Sequence, residues 1–97
     1  MRILIVEDEP DIADLIRFHC EREGMDARAV GTGKVAIELV KREVPDLMIL
    51  DLMLPDVGGI EVCRRVKQWP ESREMPVVMV TAKGEETDIV AGLEIGA

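Results

Sequence analysis

The sequence predicts an α/β domain built on a parallel sheet with helices on both faces. Short apolar runs rich in β-branched residues alternate with stretches of helical periodicity, in the order βαβαβαβα. The runs are continuous rather than alternating, which is the pattern of strands buried on both faces. Three of the four strands end in polar residues, Glu7-Asp8, Asp51 and Thr81. Parallel strands carry such ends to a single edge of the sheet, where open α/β sheets bind ligands.

The first strand is Arg2 to Val6, ended by the acids Glu7-Asp8-Glu9. Pro10 suits the first position of a helix, where its missing N–H costs nothing. Ile12, Leu15, Ile16, His19 and Cys20 recur at helical spacing as far as Gly24, a stop signal. His19 is the single histidine and reads as a structural or surface residue. Met25 to Val30 is a weaker strand near an edge. Gly31-Thr32-Gly33 is a turn with Thr32 as N-cap, and Val35, Ala36, Leu39 and Val40 form one face of a second helix. Pro45-Asp46 breaks that helix ahead of the central strand, Leu47 to Leu50. Pro55-Asp56-Val57-Gly58-Gly59 is a loop by composition. Ile60, Cys63 and Val66 mark a third helix, and a polar connector from Trp69 to Pro76 leads to the strand Val77–Val80. Glu85 and Glu86 suit a helix N-terminus, with Ile89, Val90 and Leu93 as the apolar face of a fourth helix.

Composition bounds the function. The 97 residues make one domain at most, and 47% hydrophobic content makes it globular. A net charge of −8 argues against direct nucleic-acid contact, which needs clustered Lys and Arg. Cys20 and Cys63 stand far apart with no CxxC, so they read as small buried hydrophobes in a reducing compartment. No apolar run approaches the ~18 residues of a membrane span. The N-terminus lacks signal-peptide anatomy, so a cytoplasmic location is expected.

Asp51 is the central residue. It is the one charge in the run Leu47-Met48-Ile49-Leu50-Asp51-Leu52-Met53-Leu54-Pro55. A carboxylate inside such a run is costly, whereas one delivered to the mouth of a buried strand is not. Glu7, Asp8, Asp51 and Thr81 then meet at one edge. Mutually repelling carboxylates call for a cation, and an all-oxygen site suits Mg²⁺ with positions left for water and phosphate oxygens. Phosphoryl chemistry follows, with Asp51 as the nucleophile that forms an aspartyl-phosphate and the Thr81 hydroxyl as a donor to a phosphoryl oxygen.

These residues, in this order and at these intervals, resemble the receiver domains of two-component response regulators. The resemblance runs the whole length of the chain, residues 1–97. It rests on Ile-Leu-Ile-Val-Glu7-Asp8-Glu9, on the segment from Leu47 through Asp51 and Pro55 to Gly59, on Val-Val-Met-Val-Thr81-Ala82-Lys83, and on Gly92 to Ala97. It implies a flavodoxin-like doubly wound sheet of strand order 2-1-3-4. It also implies that Asp51 accepts a phosphoryl group from a sensor histidine kinase. On the same resemblance Asp8 and Asp51 would hold Mg²⁺, with Glu7 contributing directly or through water and Met53 through its backbone carbonyl, and Thr81 would be the switch hydroxyl. Lys83 stands where the family tunes phosphoryl lifetime. The Glu-Asp pair and the Leu-Pro-Asp loop look closest to regulators that carry a DNA-binding output domain, hence transcription regulation by a switch domain rather than a turnover enzyme.

The family's pattern continues after Gly96-Ala97 with a fifth strand, bearing a switch aromatic and a lysine, and a fifth helix. The resemblance therefore implies a chain cut before both. An unpaired edge on the fourth strand is then expected to invite self-association, or the chain to be marginally stable. Rival readings fit less well. Gly31-Thr32-Gly33-Lys34-Val35-Ala36 matches a dinucleotide-binding pattern on paper but follows a weak second strand. Haloacid-dehalogenase-type phosphohydrolases place an acid two residues beyond the nucleophile, where this chain has Met53. A truncated scaffold that keeps the fold without the switch is the remaining alternative.

Overall fold

Residues Ile3 to Val6 leave β1 (Arg2–Val6) with no polar face, and all four are buried. Such a strand needs a neighbour on each edge and cover on each side. In the computed structural model, which describes residues 1–81 and 88–90 (the backbone alone for Thr81 and 88–90), it has both. β2 (Asp26–Val30) pairs with β1 in parallel from Arg2↔Asp26 to Val6↔Val30. β3 (Leu47–Asp51) pairs on the other side, Ile3↔Leu47 to Val6↔Leu50, and carries β4 (Val77–Thr81) from Met48↔Val77 to Asp51↔Val80. The parallel order is β2-β1-β3-β4, the order that the family resemblance implies.

Alternation along the strands divides the core. Leu4, Val6, Met48, Leu50, Val77 and Met79 face α2 (Gly33–Arg42) and α3 (Gly59–Val66), packing on Ala36, Val40, Val62, Cys63 and Val66. Ile3, Ile5 and Ala27 face the other way and meet Cys20 of α1 (Pro10–Arg22), with Ile16 and Met25 at the margin. The two faces thus carry separate clusters, which is the doubly wound plan. Burying each of the Val, Leu, Ile and Met side chains contributes roughly 1.5–3 kcal/mol.

Local signals hold where they rest on backbone chemistry. Pro10 opens α1, Gly24 ends its turn at φ +80°, and Thr32 Oγ1 accepts the Val35 N–H at 3.2 Å as the N-cap of α2. Both cysteines are buried and unpaired with each other. His19 is exposed and stacks edge-on against Phe18, ring centroids 5.6 Å apart. The polar connector is ordered by buried Ser72, whose hydroxyl donates to the Val66 carbonyl at the end of α3.

The stretch beyond β4 departs from expectation. Asp88–Val90 is not part of a helix but a short strand, β5, antiparallel to β4 in the register Met79↔Val90, Val80↔Ile89 and Thr81↔Asp88. Ile89 and Val90 are β-branched, so they fit a strand better than a helix. The outer edge of β4 also offers unpaired backbone groups that a local strand can satisfy. The edge expected to invite self-association is therefore occupied along Met79–Thr81. Lys83, Glu85, Glu86, Leu93 and the Gly92–Ala97 segment lie outside the described residues.

Candidate functional site

β1 and β3 run parallel in register, Val6 beside Leu50, so the next residues of each, Glu7 and Asp51, emerge side by side. The Glu7 N–H donates to Val30 O at 3.0 Å and the Leu52 N–H to Val80 O at 3.0 Å, so the ladder extends one residue past each strand. This fixes both residues against the sheet rather than on a loose loop. Glu7 is 4% exposed and Asp51 2%; Asp8 is half-buried beside them. One carboxylate oxygen from each of Glu7, Asp8 and Asp51 lies within 4.8 Å of the others.

Three acids at this spacing cannot all hold full charge comfortably in a buried setting. Glu7 takes most of the effect. Burial pushes its carboxyl up to about 7, and the negative charge of Asp51 and a hydrogen bond with Asp8 add to the rise. The Glu9 N–H, donating to Glu7 Oε2 at 3.0 Å, opposes it.

Asp51 is held from one side. Its Oδ1 accepts the Met53 N–H at 3.0 Å, while its Oδ2 is buried and accepts no hydrogen bond among the described residues. A buried carboxylate oxygen without a donor is costly unless something else fills the role. The donor set is hard and all-oxygen, which fits a small divalent cation such as Mg²⁺.

The loop after β3 is pinned in place. Leu54 is buried in the core, and the Gly59 N–H donates to Leu52 O at 3.0 Å. Asp56 reaches the start of α2, its Oδ1 accepting from Gly33 N at 2.9 Å and its Oδ2 from Lys34 N at 3.0 Å. Those two bonds hold the Asp56 carboxyl below its ordinary range. Sequence reasoning missed this contact; a loop acid was visible, but nothing local ties it to a helix 22 residues earlier. The same bonds bear on the dinucleotide-like pattern. The N–H groups of Gly33, Lys34 and Val35 are already taken. A Cβ on Gly33 would fall 2.7 Å from Val62 Cγ2, so no phosphate-sized gap lies there.

Of the expected site residues, Glu7, Asp8 and Asp51 come together, and Met53 follows Asp51 with its side chain 57% exposed. The backbone of Thr81 ends β4 at the same edge, opposite the stretch that leaves β3. Among the described residues no helix is long and apolar enough to cross a membrane.

A four-strand parallel sheet with buried carboxylates at the ends of its two central strands defines an acidic-pocket α/β domain. The chain belongs to the response regulator receiver domain family, which matches residues 3–97. It is 45% identical over 96 residues to the phosphate regulon transcriptional regulatory protein PhoB of Rhizobium meliloti strain 1021. That match takes in 99% of this chain but only 42% of the relative's length. The N-terminal domain of a response regulator receiver protein from Methanoculleus marisnigri JR1 superposes with a TM-score of 0.78 at 35% identity, over 88% of this chain and 69% of that one. The BeF3-activated N-terminal receiver domain of Klebsiella pneumoniae RstA gives 0.76 at 34% identity, over 89% and 71%.

Proposed function

We propose that residues 1–97 work as one phosphoacceptor unit of a cytoplasmic two-component regulator, with Asp51 taking a phosphoryl group from a sensor histidine kinase. The observation that carries this is the state of Asp51. One oxygen is oriented by the Met53 N–H, and the other is buried without a donor beside two further carboxylates. That is a poor arrangement for stability alone and a good one for binding a cation and a phosphoryl group.

Glu7, Asp8 and Asp51 would hold Mg²⁺, with the Met53 carbonyl as a further ligand. When bound, the ion supplies charge neutralisation for the carboxylates and for the phosphoryl oxygens. Asp51 contributes the attacking oxygen: its lone pair forms the new O–P bond as the P–N bond to the donor's imidazole breaks. The buried backbone around β1 and β3 holds that oxygen in place, so little reorganisation accompanies transfer. Thr81, at the end of β4, is the proposed switch hydroxyl. An aspartyl-phosphate held this way is a signal state rather than a turnover intermediate, and a DNA-binding output domain in a longer parent chain is its proposed target. The relative named for transcriptional regulation supports that class of output.

Beryllofluoride tests this reading, since it occupies a phosphoryl position on a carboxylate without a covalent bond to phosphorus. With Mg²⁺ present, fluorine NMR of the wild-type chain is expected to show bound beryllofluoride, lost in Asp51→Asn and weakened in Asp8→Asn. Equal binding by Asp51→Asn would contradict the assignment.

A further inference from the structure

We infer that Asp56 is a positioning residue for the phosphoacceptor: by clasping the N-terminus of α2 it fixes the loop whose Met53 N–H orients Asp51. The inference rests on the proposed role of Asp51 and adds the residue that sets its geometry.

The clasp is bidentate and crosses between elements. Both oxygens of one carboxylate are used, on two successive N–H groups of α2, at 2.9 and 3.0 Å. A helix N-terminus leaves its first N–H groups unsatisfied and favours negative charge there. Thr32 satisfies a third, Val35 N, from within the same segment. Asp56 differs because it belongs to the loop that follows β3. It therefore ties that loop to a helix already anchored in the core through Ala36 and Val40.

The span between Asp51 and Asp56 is short and held at close intervals. Asp51 Oδ1 meets Met53 N, Leu54 is buried, Asp56 holds α2, and Val57 packs against the start of that helix. On the far side Gly59 N returns to Leu52 O. Without the Asp56 contact, the loop loses its two hydrogen bonds to α2 and keeps the buried Leu54, the packing of Val57 and the Gly59 bond. A peptide group that can swing by a fraction of an ångström no longer fixes the Asp51 carboxylate, and the same peptide carries the Met53 carbonyl. Groups that orient metal ligands in this indirect way commonly matter about tenfold or more for affinity.

Helix capping alone is the competing explanation, and Thr32 separates the two. Thr32→Ala weakens the same helix end without touching the loop. The experiment uses the whole chain and two readouts. Amide hydrogen exchange of Met53, measured without metal, reports the loop directly. Calorimetric titration with Mg²⁺ alone, at a temperature where every variant is folded, reports the site. Asp56→Ala is expected to speed Met53 exchange and to weaken Mg²⁺ binding by about tenfold. Asp56→Asn, which keeps one accepting oxygen, is expected to fall between it and wild type. Thr32→Ala is expected to lower stability and leave both readouts unchanged. Unchanged Met53 exchange and Mg²⁺ affinity in Asp56→Ala, or equal losses in Thr32→Ala, would overturn the inference. Should wild type itself bind no Mg²⁺, the reading of Asp51 falls, and Met53 exchange still decides whether Asp56 positions the loop.

Discussion

Gly59 lies directly against the backbone of Asp51. A Cβ at position 59 would press on the Asp51 carbonyl oxygen and stand 2.9 Å from Leu52 Cα and 3.1 Å from the Asp51 carbonyl carbon. These are backbone atoms of the ladder, so they cannot turn aside as a flexible side chain could. Gly59 is the first residue of α3, so the helix begins in contact with the proposed phosphoacceptor. Gly59→Ala is expected to destabilise the chain by about 1–3 kcal/mol, the usual cost of overpacking. It should also perturb the Asp51 and Leu52 amide resonances. A chemical denaturation midpoint equal to wild type would show that the close approach is not constrained.

The acidic pocket costs stability in the metal-free chain. Glu7 is pushed up to about 7 chiefly by burial, so near neutral pH the metal-free chain carries an unfavourable carboxyl there. Glu7→Gln is expected to raise the stability of the metal-free protein at pH 8 by roughly 1–3 kcal/mol. Mg²⁺ is expected to raise the melting temperature of wild type by mass action, and that of Glu7→Gln by less. Thermal melts with and without Mg²⁺ check both halves.

The surface of α3 gives a pH signature away from the pocket. Glu61 accepts from Arg64 at 3.0 and 2.6 Å and from Arg65 at 2.8 Å. These bonds lower its carboxyl to about 2. Because the folded value lies below the unfolded one, the contribution is present above about pH 4.5 and is lost as pH falls towards 2. Carboxyl NMR titration should place Glu61 at about 2, and Arg64→Ala with Arg65→Ala should return it towards 4.5. A Glu61 carboxyl already near 4.5 in wild type would mean that the arginines do not engage it in solution.

Much of this was legible in the sequence because it follows from local chemistry. Continuous apolar runs point to β1, β3 and β4, and the acids that end β1 and β3 point to Glu7, Asp8 and Asp51 as neighbours. Helix faces were read less sharply. Leu15, Val35 and Ile60 fall on the predicted apolar stripes yet are 57%, 47% and 55% exposed, while Ala13 and Val62 are buried. A one-position rotation of a short helix costs little in periodicity, and the facing sheet decides it. β5 was read as helix because Glu85 and Glu86 look like an N-terminal turn, whereas pairing with β4 is a long-range event that no local window reports. Asp56 was hidden for the same reason, since its partners lie on another element.

Asp51 is the proposed acceptor of a phosphoryl group. Intact-mass spectrometry after incubation with Mg²⁺ and a small phosphodonor such as acetyl phosphate tests it most directly. The expected result is a single phosphoryl adduct that needs Mg²⁺, is removed by hydroxylamine as an acyl phosphate should be, and is absent from Asp51→Asn. An adduct of equal yield on Asp51→Asn, or none on the wild-type chain, would contradict it.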